Sequence, residues 1–375
     1  MSCGPNAHLV GRAALAGLAT PALLLDRAPF ERNLARMAEA ARRSGRALRP
    51  HVKAHKSTRI ARRQLEAGAV GLCCATLREI DVMAAAGLPG LLLTTPPVGE
   101  ASIERLRQAQ AVSPDLAVVV DSEAGLAALA EAFTPERPLG VLVDVDVGQG
   151  RTGAVGPEQV VRLAQAAAGS PSLRYRGIQA YYGHLQHVQG YAERRSRAAE
   201  QWARLTQVVD ALRAAGLAPE IVTGGGTGTH HLDLAEGPFT EVQPGSYLFM
   251  DKQYGAVEIA PEEAQPFAVA LTVAARVVSV NQPGLAVIDA GLKAMATDAG
   301  APLVAAGAPE GATYQFMGDE HGGIRVAAPA SPPALGAVVR LTAPHCDPTV
   351  NLHDRFHVMD GDRLVDIWPI DARGY

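Results

Sequence analysis

The chain has 375 residues, 48% hydrophobic and 19% charged, which excludes a disordered segment and leaves room for a barrel of about 250 residues with a second domain beside it. Its net charge is −4 and it has no basic run interleaved with aromatics, so a nucleic-acid partner is not expected. No stretch reaches the roughly 20 apolar residues that a membrane span needs, and the first 20 residues lack a basic start followed by an apolar run, so a cytoplasmic location with no membrane contact is expected.

Taken in chain order, a first apolar, β-rich run lies at residues 22–26. Eight more follow at 47–53, 70–75, 91–95, 116–121, 141–147, 177–182, 220–223 and 241–246. Helical patterns fall between them at 58–67, 77–86, 103–109, 123–132, 157–168 and 191–214. Strands alternating with helices imply a parallel sheet, and eight units imply closure into a (β/α)8 TIM-type barrel over residues 27–255. From 256 onward the texture changes to runs at 271–280, 284–289, 336–342 and 355–359 with Pro/Gly turns. The expectation is an α/β chain whose second, mostly β C-terminal domain comprises residues 1–26 plus 256–375, with the N-terminal run 21–26 completing an edge of its sheet.

Cys3, Cys73, Cys74 and Cys346 form no CxxC pair and no zinc-finger spacing, and read as reduced core thiols. Lysine is scarce. Only Lys53, Lys56, Lys252 and Lys293 occur, and the other 30 of the 34 basic residues are arginine. A chain that keeps itself charged with arginine is expected to use lysine where an amine is needed, because arginine neither deprotonates nor condenses with a carbonyl.

Active sites of such barrels lie where strands end and loops begin. Lys53 falls at the end of the first barrel run, whereas Lys56, three residues on, reads as a hydrated loop lysine. Arg151 lies in a glycine-rich turn after the fifth run and can donate to an anionic oxygen. After the sixth, Tyr181 offers a ring to a flat cofactor, and His184 and His187 offer proton acceptors near neutral pH. A helical turn would put these two histidines on one face; an extended loop would splay them. The seventh and eighth runs open into Thr223, Gly225, Gly226 and Thr227, and into Gly245, Ser246 and Tyr247, where backbone amides can approach a phosphate. In the β domain, His345 and Asp347 would share one face of an extended stretch, with Cys346 on the other. They form a plausible divalent-metal pair, for Mg²⁺ or Mn²⁺ before Zn²⁺. The polar cluster at 319–322 reads either as ordinary surface or as a reach into a neighbouring subunit.

The segments 20–26, 49–56, 144–153, 223–228, 243–251 and 345–354, with the trailing 366–368, occur in an order that resembles D-threonine aldolase over nearly the whole chain. The wider group is similar to alanine racemase in its barrel and to D-serine dehydratase throughout. The resemblance implies pyridoxal phosphate held covalently by Lys53, with Arg151 near its phenolic oxygen and its phosphate in the two glycine loops. It implies a divalent metal on His345 and Asp347, where related D-serine dehydratases tend to carry cysteine in place of Asp347. His187 matches a histidine that assists proton transfer, and His184 a position typical of dehydratase-like sequences. The activity implied is metal-assisted cleavage of D-threonine and related D-β-hydroxy amino acids to glycine and an aldehyde. D-Serine or 3-hydroxyaspartate dehydration is the alternative. A non-catalytic pyridoxal-phosphate carrier would have the barrel alone, so the second domain and the His-x-Asp pair speak against it. Proteins of this fold type commonly pair as homodimers.

Overall fold

The computed structural model describes residues 4–263 and 265–374, so Cys3 lies outside the described residues. Two sheets organise the chain. The first holds eight parallel strands: β2 Ala47–Leu48, β3 Leu72–Cys74, β4 Leu91–Leu93, β5 Ala117–Val120, β6 Leu139–Asp144, β7 Leu173–Ala180, β8 Ile221–Gly224 and β9 Glu241–Val242. Each is paired in parallel with its neighbours, β2 lying against β9. The ring closes between β2 and β3 through a parallel bridge, His51 to Cys73. Val70 N donates to Leu48 O and Cys73 N to Pro50 O, both at 2.9 Å.

The outermost runs are shorter strands than their apolar pattern suggests. Pro50 and Pro244 lack the amide a ladder needs, and each falls where its strand stops. The chain then turns tightly through single helical turns at Val52–Ala54 and Ser246–Leu248. Lys53 therefore stands on a turn just beyond a strand, not on the strand itself.

A helix that the sequence reading passed over, α1 Arg27–Ser44, joins the two sheets. Asp26 ends β1 (Ala22–Asp26) and caps α1 by accepting from Ala28 N, so one residue serves both elements. Phe30, Leu34, Met37 and Ala41 recur at helical spacing and are buried. Gly45, at φ 67, ends the helix as glycine commonly does.

The second sheet holds nine strands and includes β10 Leu271–Gln282, β11 Leu285–Ile288, β15 Val338–Thr342, β16 Arg355–Asp360 and β17 Arg363–Pro369. Its N-terminal strand β1 is not the edge expected. It lies inside, antiparallel to β10 and parallel to β16. The reason is in its residues: Ala22, Leu23, Leu24 and Leu25 are apolar on both faces, and all are at most 1% exposed. The strands missed by sequence, β12 Leu303–Ala306, β13 Thr313–Phe316, β14 Gly322–Arg325 and β17, are mostly short and partly solvated. One continuous apolar core joins the sheets. Leu23, Phe30, Phe356 and Trp368 belong to the same cluster as Val143 and Ile178 of the barrel, and Phe249 meets Phe356 at 5.5 Å. That core fixes the β domain against the barrel mouth. Among the described residues no helix is long and apolar enough to cross a membrane.

Candidate active site

The turn Val52–Ala54 buries Val52 and Ala54 and leaves Lys53 projecting over the barrel mouth. Two cavities meet at this side chain. One, of about 340 Å³, fills the mouth and is lined by His51, Thr94, Arg151, Gln179, Tyr181 and Gln243. The other, of about 840 Å³, opens outward between Lys56, Glu79, Leu292, Met295, Asp298, His345 and Asp347. Lys53 lines both.

Lys53 Nζ makes an ion pair with Asp347, which also accepts from Ser246 Oγ at 3.0 Å. Burial acts to lower the lysine's pKa, but the Asp347 carboxylate overcomes it and raises the value. Burial likewise acts to raise Asp347, and Lys53 and then His345 drive it below the usual carboxylate range. Both shifts keep the pair ionised across neutral pH. His51, beside it, is pushed down to about 3 by burial and then by the Lys53 charge. It stays neutral, with Nε2 3.3 Å from Thr94 Oγ1.

The floor of the mouth is a chain of side-chain bonds. Gln179 donates to Asp144 at 2.9 Å and to Thr94 O at 3.2 Å, and Thr152 donates to Asp144 at 2.8 Å. Gln243 donates to Gln179 and to Thr223 Oγ1. Arg151 lies with its guanidinium carbon 5.5 Å from the Tyr181 ring centre, both at the cavity wall.

The two glycine loops come together as expected. Tyr247 N donates to Thr227 Oγ1 at 3.0 Å, tying one loop to the other. Gly226 N donates to Thr229 Oγ1 and Gly228 N to Gln186. Within the described residues, the buried amides of Gly225, Thr227, Gly245 and Ser246 have no hydrogen-bond partner. Four buried donors without acceptors cost stability unless a ligand accepts from them. Such a cradle suits the phosphate of pyridoxal phosphate, and a lysine amine at the same mouth suits its carbonyl. Side chains are excluded at close quarters: a Cβ on Gly228 would stand 2.0 Å from Gln186 O. Tyr247 contributes through its backbone, since its ring is buried and its hydroxyl accepts from Gln64 at 3.2 Å.

The two histidines after β7, His184 and His187, part company. A single helical turn at Gly183–Leu185 sends them to different surroundings. The His187 ring lies 4.6 Å from that of Tyr254 and 6.4 Å from that of His345. Its pKa falls below the ordinary value, through lost hydration first and then through His345. His184, exposed like His187, sits apart from His345 and feels the charges of Arg197, Asp146 and Arg204.

His345 and Asp347 do line one cavity, though not as an extended pair. His345 immediately precedes the short helix Cys346–Val350, and Asp347 lies in that helix's first turn. Asp251 accepts from Cys346 N at 2.8 Å and fixes that start. Among the described residues no group of three or more His, Cys, Asp or Glu side chains forms a ready-made metal cage. The pair offers one imidazole and one carboxylate at an open cavity, a donor set a divalent cation can use with water or substrate completing it.

Lys56 departs from the reading as a hydrated loop lysine. It is 7% exposed, and it donates to Asn351 Oδ1 at 2.9 Å and to Gly374 O at 3.3 Å. Residues 319–321 sit at the surface and Gly322 is buried in β14, with Lys293 paired to Glu320 at 2.6 Å. His51, Gln179 and Asp298 were missed. His51 lay inside a quoted segment and could have been found there, whereas nothing in the sequence marks Asp298. Cys73, Cys74 and Cys346 are buried and unpaired, as expected of core thiols.

A closed parallel barrel with a lysine at its mouth, a cradle of free amides after its last strands and a β domain over one side defines the alanine-racemase class of barrel proteins. Residues 25–253 match the family described as alanine racemase, N-terminal domain, and residues 270–359 the one described as putative serine dehydratase domain. A D-threonine aldolase from Arthrobacter sp. is 43% identical over 96% of this chain and 94% of its own. A 3-hydroxy-D-aspartate aldolase from Paracoccus denitrificans (strain Pd 1222) is 36% identical over 95% and 92%. The crystal structure of D-threonine aldolase from Filomicrobium marinum superposes with a TM-score of 0.91 at 38% identity, covering 96% of both chains. The chain belongs to the D-threonine aldolase family of lyases.

Proposed function

We propose that this protein cleaves the Cα–Cβ bond of D-threonine and related D-β-hydroxy amino acids, giving glycine and an aldehyde, with pyridoxal phosphate and a divalent cation, Mn²⁺ or Mg²⁺, as cofactors. The observation that carries the reading is the position of Lys53, on the wall shared by the barrel mouth and the cavity holding His345 and Asp347, with the His187 ring 6.4 Å from that of His345. The family relatives act on β-hydroxy amino acids by name, and this chain has a proton acceptor and a cation pair where a β-hydroxyl would need them.

Pyridoxal phosphate, when bound, supplies the electron sink that lets a bond at Cα break. A divalent cation on His345 and Asp347 would supply Lewis acidity toward a hydroxyl oxygen. The chain does the rest. Lys53 provides the amine that holds the cofactor and, once released, can carry a proton. The free amides of Gly225, Thr227, Gly245 and Ser246 hold the phosphate, with Thr223, Gly226 and Tyr247 bonded within the loops that shape the cradle, while Arg151 and Tyr181 hold the ring end. His187 at Nδ1 or Nε2 accepts the hydroxyl proton, its lowered pKa keeping the ring neutral and able to accept. Asp347 with His345 orients the hydroxyl so that Cβ, not the α-hydrogen, lies along the bond to be broken.

We read residues 27–255 as the cofactor-binding unit and 1–26 with 256–375 as the unit that selects the bond. We also infer a homodimer in the cytoplasm. The unpaired buried thiols suit a reducing compartment, and a monomer fully active at assay concentration in sedimentation would rule the dimer out. The deciding experiment gives D-threonine to the protein with pyridoxal phosphate and Mn²⁺, with and without chelator. Glycine and acetaldehyde, lost on chelation, support the reading. 2-Oxobutanoate and ammonia would make it a dehydratase, and a chelation-insensitive rate would remove the cation.

A further inference from the structure

We propose that Asp298 is a positioning residue for the cation site: it holds the His345 ring with its proton on Nδ1 and so presents Nε2 as the coordinating atom. This rests on the reading that His345 and Asp347 hold a divalent cation.

His345 Nδ1 lies 2.6 Å from Asp298 Oδ2. An ionised carboxylate can only accept, so the nitrogen facing it carries the proton. In the neutral ring the lone pair then belongs to Nε2, the one nitrogen left for a cation. Hydrogen bonding to a carboxylate also makes an imidazole a stronger donor to a metal and fixes its rotation. The ring cannot turn over without giving up this bond.

Asp298 is not held there by chance of a surface loop. The segment that carries it is hung from the same stretch of chain that carries His345 and Asp347. His353 Nε2 donates to Ala294 O at 3.0 Å. Thr349, fully buried, accepts from Ala296 N at 3.2 Å and donates to His345 O at 2.8 Å. The carboxylate and the imidazole are thus tied to one scaffold by two routes besides their own contact. The Asp298 side chain is itself 52% exposed. An ion pair that open adds little to stability. Its removal should leave the fold intact and act on the orientation of the ring.

The test titrates Mn²⁺ alone into metal-stripped holoenzyme, with free Mn²⁺ read by electron paramagnetic resonance. Asp298→Ala is expected to weaken Mn²⁺ binding by about 10–100-fold, the usual cost of losing such a partner. The visible absorbance of the bound cofactor should not change. Asp298→Asn, whose amide oxygen still accepts from Nδ1, should recover most of the affinity. At saturating Mn²⁺ the Asp298→Ala kcat should return to within a few-fold of the wild-type value, so the defect appears as a higher cation requirement. Wild-type affinity in Asp298→Ala, with binding lost in His345→Ala, overturns the role of Asp298 and leaves the cation site standing. Unchanged Mn²⁺ binding in His345→Ala, or none in the wild type, overturns the cation reading and this inference with it.

Discussion

The mouth cavity is walled by residues from barrel strands and the loops after them, and each is bonded to the next: Thr94 to Gln179, Gln179 to Asp144, Asp144 to Thr152, Gln243 to Thr223. The outer cavity takes its walls from pieces far apart in the chain. Lys56 and Glu79 come from the barrel, and Leu292, Met295, Asp298 and the stretch around His345 come from the β domain. The first is rigid because closing a parallel barrel leaves its loop ends little choice. The second exists only while the β domain is docked, which the shared apolar core ensures. The division assigns the work. On the proposed reading, the barrel holds the cofactor and the β domain decides which bond at Cα is exposed to it. Variants at the mouth should disturb cofactor spectra, and variants at the outer wall should disturb turnover with the cofactor in place.

The sharpest break in that comparison comes at Lys53, which belongs to both cavities. Lys53→Ala should remove the visible absorbance of the covalently bound cofactor and lower the rate by about 10³-fold or more, the scale of losing a covalent-catalysis group. Lys56→Ala should keep the absorbance. Covalent cofactor retained in the first variant and lost in the second would reverse the assignment.

Next in size is His187, whose ring lies 6.4 Å from that of His345 on the outer wall. His187→Ala should lower kcat by about 10²–10⁴-fold, the usual cost of losing a general base, with the cofactor spectrum unchanged. Its pH dependence carries a sign. The ring accepts a proton only when neutral, so activity falls as pH drops through its pKa. Burial and His345 lower that pKa, so the acid limb of kcat/KM in the wild type should lie below pH 6.5 and should vanish in the variant. A limb above 6.5 would point to another base.

The same contrast explains what could be seen in the sequence. Barrel strands announce themselves as short apolar runs at regular spacing, so all eight were legible, with Lys53, Arg151 and the two glycine loops at their ends. Their lengths were not, because Pro50 and Pro244 cut strands whose apolar pattern runs on. Helix α1 was missed because its apolar positions, Phe30, Leu34, Met37 and Ala41, are diluted by alanine and arginine. The outer wall was half legible. His345 and Asp347 stand two apart and invite a metal reading, but Asp298 is a lone acid 47 residues earlier, joined to His345 only by folding. Lys56 was misread as hydrated for the same reason: Asn351 and Gly374, which bury and satisfy it, come from the far end of the chain. Local pattern reports strands and loop ends; it does not report which distant segment covers them.

The smallest effect is expected at His184, and it tests whether the outer wall is as local as it looks. His184 and His187 are three residues apart and chemically alike, and sequence alone could not divide their roles. The intervening turn Gly183–Leu185 does so by placing His184 among Arg197, Arg204 and Asp146, while His187 packs on Tyr254 near His345 and feels the charges of Asp347 and Lys53. Lost hydration and then Arg197 lower its pKa, so it too is neutral at assay pH, and protonation state does not distinguish the pair. Position does. A base must come within hydrogen-bond reach of the proton it takes, directly or through one water. His184→Ala should therefore change kcat by no more than a few-fold, against the much larger loss at His187, and should leave the acid limb where it was. A loss at His184 as large as that at His187 would mean that residues 183–187 rearrange when substrate binds, and that the histidine nearest His345 in the free enzyme is not the one that takes the proton.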